Sequence, residues 1–417
     1  MPGMMKIREL RPVLAIGVLA CLGFTQQISE ETSVINIEVP VRVFDGDRLV
    51  TDLTIDDFEI LEDGRPQKLE AVYFVQRNAV ERRSETKRFI PNTSRNFFLF
   101  FEVGSYEAKM GAALDYFIDT AFMPGDALTV VTPMKTYRLK PRAFEARTRG
   151  EISNQIKGLI RRDATMGSLE YNSILNDLED MARGLLFAMS ELFFVPTDNL
   201  MVDEPSVMTY KGLSVDDILT RYLATIKRLE NIRAIDESRI LEFPALLAKE
   251  TGQKHVFFFY EREFIPRINP RMLDLYTEMF QDRPDIQHKL AEVFEFYRRD
   301  LPYDVSRLQE AYANASIAIH FLMFAKQPKT TPEIQYKEQS DDIFTIFKQI
   351  AEATGGVTTV SENPTFLFRA AVEASESYYL LYYTPRPYVR DGQFRRITIR
   401  TKTGSFRVSH RIGYVAD

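Results

Sequence analysis

From residue 34 to residue 44 apolar and polar positions alternate. Ile35, Ile37, Val39, Val41 and Val43 share one face, and Asn36, Glu38, Pro40 and Arg42 share the other. That period of two is the mark of a half-buried strand. Pro40 has no N–H for a ladder, so this strand is predicted to lie at an edge or to keep one side free. Asp45-Gly46-Asp47 turns the chain, and Thr54 with Asp57 three residues on predicts one capped helical turn. A short strand at 58–61, a tight turn at Glu62-Asp63-Gly64 and a returning strand at 69–75 follow. Residues 33–78 thus read as N-terminal β strands, too few to bury a face by themselves. Residues 79–95 are mostly polar, contain Pro91 and read as a linker.

The pattern changes at Phe97. Residues 97–101 are an uninterrupted apolar run, as expected of a strand buried on both faces of a parallel sheet. Tyr106, Met110, Ala113, Leu114, Phe117 and Ile118 follow at helical spacing. Buried-strand runs recur at 127–131, 256–260, 317–324 and 357–360, with 137–139 as a short partner. Helical patterns fill the intervals at 144–160, 272–298 with a break at Pro284, and 343–351, closed by Gly355-Gly356. Five strands separated mostly by helices predict an α/β doubly wound sheet with helices on both faces. This domain is placed at 96–375, with a helical insertion around 161–250. The tail returns to strands at 378–384, 394–401 and 406–414, joined by turns at Arg390-Asp391-Gly392 and Lys402-Thr403-Gly404. Small sheets are marginal in water. The C-terminal β strands of 376–415 are therefore predicted to join 33–78 in one small β-sandwich. Ile35, Ile37, Val39, Val41 and Phe58 should then meet Tyr379, Leu381, Ile397, Ile399 and Val408 in one core.

The extreme N-terminus is of another kind. Lys6, Arg8 and Arg11 precede a short apolar stretch at 12–24, too short to be read as a membrane span. Residues 1–28 are expected to be a signal peptide or lipoprotein signal; the alternative is a buried or interfacial helix. Val18-Leu19-Ala20-Cys21 resembles a bacterial lipoprotein signal, which makes Cys21 the candidate lipidation site. The expected location is exported: periplasmic, outer-membrane-attached or secreted. Membrane association would come only through a lipidated N-terminus.

Composition narrows the chemistry. The 417 residues allow two or three domains, and 45% apolar with 27% charged residues describes a folded chain. The formal charge is -6 and no basic stripe appears, so no nucleic-acid partner is expected. Cys21 is the only cysteine, which removes disulfides and thiolate chemistry from the folded part. His255, His288, His320 and His410 show no metal-ligand spacing. No Gly-x-Ser-x-Gly elbow occurs, and no Gly-rich loop follows the first buried strand. No catalytic residues are assigned, although paired carboxylates among 59 acidic residues keep a carboxylate-based hydrolase as an alternative. His320 reads as a hydrogen-bonded core or strand-edge histidine. Lys254-His255 and Arg395-Arg396 read as solvated faces. Tyr378, Tyr379, Tyr382 and Tyr383 read as the central strand of the small sandwich, with an aromatic binding surface as the alternative.

Several segments carry a resemblance. They are Val43-Phe44-Asp45-Gly46, Leu53 through Leu69 with Asp56-Asp57-Phe58 and Glu62-Asp63-Gly64 inside it, Ala351-Glu352-Ala353-Thr354-Gly355-Gly356, Tyr378 through Pro385, Asp391 through Ile397, and Arg411-Ile412-Gly413-Tyr414. Together they resemble bacterial, acidobacterial-type von Willebrand factor type A-related domain proteins. The resemblance implies a Rossmann-like fold, export and an interaction role. A complete domain of that type holds a divalent cation where its first strand ends in Asp-x-Ser-x-Ser. Here Glu102-Val103-Gly104-Ser105-Tyr106 stands instead. Glu261 matches a later carboxylate and Thr165, before Gly167, a contributing threonine. The expectation is a degenerate metal site without a cofactor; Mg or Ca held by Glu102, Ser105 and Glu261 is the alternative. The expected interaction face is Glu102, Gly104, Ser105, Tyr106 and Glu261. The function expected is an exported protein–protein interaction module for an unidentified protein of the periplasm, outer membrane or exterior. A divalent-cation-dependent adhesion domain is the competing reading.

Overall fold

The computed structural model describes residues 35–139, 144, 146–193, 212–233, 237–298, 304–329 and 334–417. The expected export signal and Cys21 lie outside them. The first described strand, β1 (Ile37–Asp45), buries Ile37, Val39, Val41 and Val43 as its alternation requires. β2 (Arg48–Leu49) folds back on it. Thr54 then caps a single 3-10 turn at Ile55–Asp57, its N–H donating to Asp57 Oδ2 at 2.7 Å. β3 (Phe58–Glu62), β4 (Arg65–Gln67) and β5 (Leu69–Gln76) follow.

The linker expected at 79–95 is in part a strand, β6 (Ala79–Glu85), paired antiparallel to β5. It ends its sheet, and Glu81, Arg82, Arg83 and Glu85 are exposed. An edge strand needs few apolar residues, and charge on it deters further pairing. Its polarity is thus compatible with a strand.

The central sheet is built from β7 (Arg95–Glu102), β8 (Ala127–Val131), β9 (Thr136–Leu139), β10 (Gln253–Glu261), β12 (Ile317–Phe324) and β14 (Thr358–Ser361), in the order β14-β12-β10-β7-β8-β9. All neighbours are parallel except β9. Successive side chains on a strand point to opposite faces. Phe97, Leu99, Phe101, Phe257 and Phe259 pack with α1 (Ala108–Tyr116), α2 (Arg149–Gly167) and α10 (Pro364–Glu376). Phe98, Val256, Ile317 and Ile319 pack on the other side with α5 (Glu237–Leu247), α8 (Val305–Asn314) and α9 (Asp341–Ala353). Covered on both faces, these strands read as unbroken apolar runs.

The helical insertion is wider than the expected 161–250. α3 (Leu169–Phe193) and α4 (Val215–Arg233) share a separate core with β11 (Phe264–Arg267), α6 (Pro270–Met279) and α7 (Pro284–Arg298). Pro284 opens α7, so the break there is a helix start. The helical stretch expected at 144–160 is interrupted: Phe144 and Ala146 are helical, and α2 starts afresh at Arg149, where Thr148 and Glu151 form a capping box. β11 pairs with β13 (Gln335–Glu338).

The chain ends meet, but mostly edge to edge. β15 (Ser377–Tyr383) lies between β1 and β5 in the order β17-β1-β15-β5-β6, where β17 is Arg407–His410. A second sheet runs β18-β16-β3-β4, with β16 at Phe394–Thr401 and β18 at Gly413–Val415. Val39 is opposite Leu381, Val41 opposite Tyr379, and Ile60 opposite Ile399. Much of the expected face-to-face core is therefore lateral pairing, which also satisfies the backbone groups of both partners. Contacts between the two sheets include Phe58 against Tyr379, with ring centroids 5.4 Å apart, and Tyr383 donating to buried Glu62 at 2.7 Å. β1 has neighbours on both sides, but β17 covers only Val41–Phe44, so Pro40 keeps one side free. β15 is buried on both faces, as expected of a central strand.

Lys254 and His255, expected on a solvated face, are buried. Lys254 Nζ donates to the carbonyls of Leu247 and Glu250 at 3.2 Å. His320 is buried too, but neither of its ring nitrogens has the expected hydrogen bond. It stacks on His255 with centroids 5.8 Å apart. Burial pushes the His255 imidazole down to about 3 and holds that of His320 well below its ordinary value, so both rings are neutral.

Candidate functional site

From β7 the chain crosses to β8 on one side, while β10 lies on the other. The C-terminal ends of β7 and β10 therefore flank a topological switch point, where a doubly wound sheet leaves a crevice. A cleft of ≈ 710 Å³ opens there. Glu102 ends β7 and Glu261 ends β10. The helical insertion supplies one wall through Tyr171, Leu175 and Arg233, and α9 contributes Ile343 and Phe347.

Glu261 is almost fully saturated. Its Oε2 accepts from the Gly104 N–H at 2.8 Å. Its Oε1 accepts from Ser105 Oγ at 3.3 Å and from Lys326 Nζ at 2.8 Å. The same ammonium lies 3.2 Å from Ser105 Oγ. Lys326 follows β12, so three neighbouring strand ends converge on one carboxylate. A Cβ at Gly104 would sit 3.4 Å from Glu261 Oε2, an ordinary contact, so it is the backbone N–H and not the missing side chain that Glu261 uses. An ammonium thus already bridges the hydroxyl and the carboxylate that a divalent ion would need. Among the described residues no three His, Cys, Asp or Glu side chains are placed to hold a metal ion. This donor set does not fit a hard cation, which needs several free oxygens.

Glu102 differs. No described residue hydrogen-bonds or ion-pairs with its side chain. It reaches solvent through the cleft, yet the surrounding walls withdraw much of its hydration. That desolvation, with the nearby Glu263 charge, pushes its carboxyl up to about 7. Burial also raises Glu263, against the pull of Arg233 Nε at 2.8 Å. Arg262 pairs with Glu338 at 3.0 Å. The hydroxyl of Tyr171 is buried in the cleft wall without a hydrogen-bond partner.

Four of the five residues expected on the interaction face, Glu102, Gly104, Ser105 and Glu261, meet in this cleft. Tyr106 does not line it. It packs on the core under α1, and its hydroxyl would stand 3.0 Å from a Cβ at Gly111. Thr165 is also elsewhere, exposed on α2 with its hydroxyl donating to the Arg161 carbonyl at 2.9 Å. Sequence reasoning missed Lys326, Glu263, Arg233 and Tyr171. The sequence signal available for Lys326 is its place just after the buried run 317–324, where strand ends carry site residues.

No protein-family model matches the chain, and no curated protein matches it. Among solved structures it is similar to the von Willebrand factor type A from Catenulispora acidiphila. The identity is 8%, the TM-score is 0.28, and the match covers 90% of this chain and 75% of that chain.

Proposed function

We propose that the protein is an exported protein–protein interaction module whose recognition cleft works without a bridging metal ion. The observation that carries this reading is the Lys326 ammonium between Glu261 and Ser105, which supplies a tethered cation at the strand ends. The carboxylate left uncompensated is Glu102, in a cleft that also holds Tyr171, Phe258 and Tyr260. A carboxylate beside aromatic rings suits a basic side chain of a partner. The strands at the two chain ends form, on this reading, a small sandwich that carries the α/β domain; the contacts of Phe58 with Tyr379 and of Tyr383 with Glu62 support it. Export rests on the basic residues and short apolar stretch that precede Cys21.

The test is calorimetry of the full chain with magnesium, manganese and calcium chlorides, beside capture of envelope proteins with and without chelator. No saturable metal isotherm is expected. Capture should survive chelation and weaken in Glu102→Gln. A saturable isotherm abolished by Glu102→Gln, with chelator-sensitive capture, would establish cation-dependent adhesion instead. Mass spectrometry of protein expressed in a bacterial host should find a mature chain beginning at or after Cys21. An intact N-terminus on cytosolic protein overturns the export reading.

A further inference from the structure

Far from the cleft, a cavity of ≈ 40 Å³ lies where β1 and β15 meet the first residues of β10. Arg42, Lys254 and Arg411 line it, and they are only 5%, 7% and 7% exposed. A buried charge is costly unless an opposite charge accompanies it. None of these three has a described carboxylate within ion-pair distance, and no Asp or Glu lines the cavity.

The hydrogen bonds of all three go to neutral oxygens. Arg42 donates to the Gly355 carbonyl at 2.6 Å, the Gly356 carbonyl at 3.2 Å and the Ser409 hydroxyl at 3.4 Å. Lys254 donates to the carbonyls of Leu247 and Glu250. Arg411 donates to the Ala313 carbonyl at 3.3 Å, the Ser316 hydroxyl at 2.6 Å and the Glu38 carbonyl at 2.8 Å. The Glu38 carboxylate is engaged by Gln253 at 2.7 Å and by the Tyr382 hydroxyl.

A second observation is independent of charge. Around the same cavity, Arg411 Nε, the Tyr378 hydroxyl and both ring nitrogens of His255 are buried without a hydrogen-bond partner. Arg411 Nε and the hydroxyl are donors, and a neutral imidazole adds one N–H. Buried donors without acceptors are rare and call for a water or an ion. At roughly 10–15 Å³ per water the space would take about three waters. Water satisfies donors but adds no opposite charge to what Glu38 and Glu250 exert on Arg411 and Lys254 from beyond ion-pair distance.

We infer that this cavity binds one small inorganic anion of the halide class, held by Arg42 and Arg411 and by the donors of Tyr378 and His255, with the Lys254 ammonium adding its charge from the other face of β10. The narrow space favours a monatomic ion over an organic phosphate or a peptide carboxylate. Because Arg42 and Tyr378 belong to the terminal strands and His255 to the central sheet, the anion ties the two sheets together. A ligand bound only by the folded state stabilises it in proportion to its saturation.

The test uses the full chain. Thermal unfolding is recorded across a sodium chloride series, with sodium gluconate holding ionic strength constant, and crystals are soaked in sodium bromide. The midpoint should rise with chloride. Anomalous density for bromide should appear within hydrogen-bond distance of Arg411 Nε and the Tyr378 hydroxyl. Tyr378→Phe removes one donor and keeps the ring, so the variant should fold and need several-fold more chloride for the same rise. A cavity holding only water, or midpoints independent of chloride, overturns the inference.

Discussion

Replacing Lys326 by Met removes the ammonium and keeps most of the aliphatic stem, so the perturbation is chiefly one of charge. Two limits bracket the cost. An exposed ion pair contributes roughly 0.2–1 kcal/mol, whereas breaking a buried one costs roughly 3–5 kcal/mol. This pair lies between them, since the Lys326 side chain is 42% exposed and that of Glu261 only 10%. Glu261 also keeps two donors, the Gly104 N–H and the Ser105 hydroxyl. The loss is then chiefly the charge-assisted hydrogen bond to Glu261, about 1.5–3 kcal/mol, the longer one to Ser105 Oγ at 3.2 Å going with it. Solvent reaching the ammonium lowers this to about 1–2 kcal/mol for Lys326→Met. A double-mutant cycle with Glu261→Gln isolates the pair and should return a coupling of about 1–2 kcal/mol. The assay is urea unfolding followed by circular dichroism and by tyrosine fluorescence, since the chain has no Trp. Coincident transitions are required for the two-state treatment. A coupling below about 0.3 kcal/mol, the usual scatter of independent sites, would refute the idea that a tethered cation neutralises this carboxylate.

Glu102→Gln should change how stability depends on pH. With the Glu102 carboxyl at about 7 against an ordinary 4.5, the folded chain keeps a proton that the unfolded chain has released. The contribution is complete below about 4.5 and is lost as pH rises through 7. Unfolding midpoints of the wild type should therefore fall more steeply than those of Glu102→Gln between these values; parallel profiles would count against it. Asp126→Asn should cost about 3–5 kcal/mol in urea unfolding. It strands the Arg95 guanidinium, since both side chains are 0% exposed and Asp126 accepts from Nε at 3.1 Å and from a terminal nitrogen at 2.6 Å. A loss under about 1 kcal/mol, as at a surface pair, would contradict that burial. Gly356→Ala should prevent soluble expression, because its Cβ would lie 1.6 Å from the backbone oxygen of Ile319. A soluble variant with the wild-type midpoint would show that α9 and β12 do not pack as described.

By itself the sequence determined most of the elements and the number of faces that the long strands bury. The unbroken run at Phe97 marked a strand covered on both sides, and the alternation through Val39 and Val41 marked one with a buried face. Thr54 with Asp57 and the proline at 284 marked local starts and stops. These signals are local, because backbone geometry sets the period and caps act within one turn. Glu102, Gly104, Ser105 and Glu261 were picked out by the resemblance to a known motif at strand ends and not by periodicity. Only the tertiary structure decided which strand lies beside which. β1 and β15 are hundreds of residues apart and pair directly, and no periodicity reports such a partner. It also decided that Ala79–Glu85 is an edge strand, where polar residues remain solvated and leave no apolar signature. The burial of Lys254 and His255 comes from elements packed over the start of β10. Lys326 reaches Glu261 from 65 residues away, and the convergence of three strand ends places its charge where the cleft needs a cation. Charge compensation depends on distance in space, and in this fold distance along the chain does not predict it.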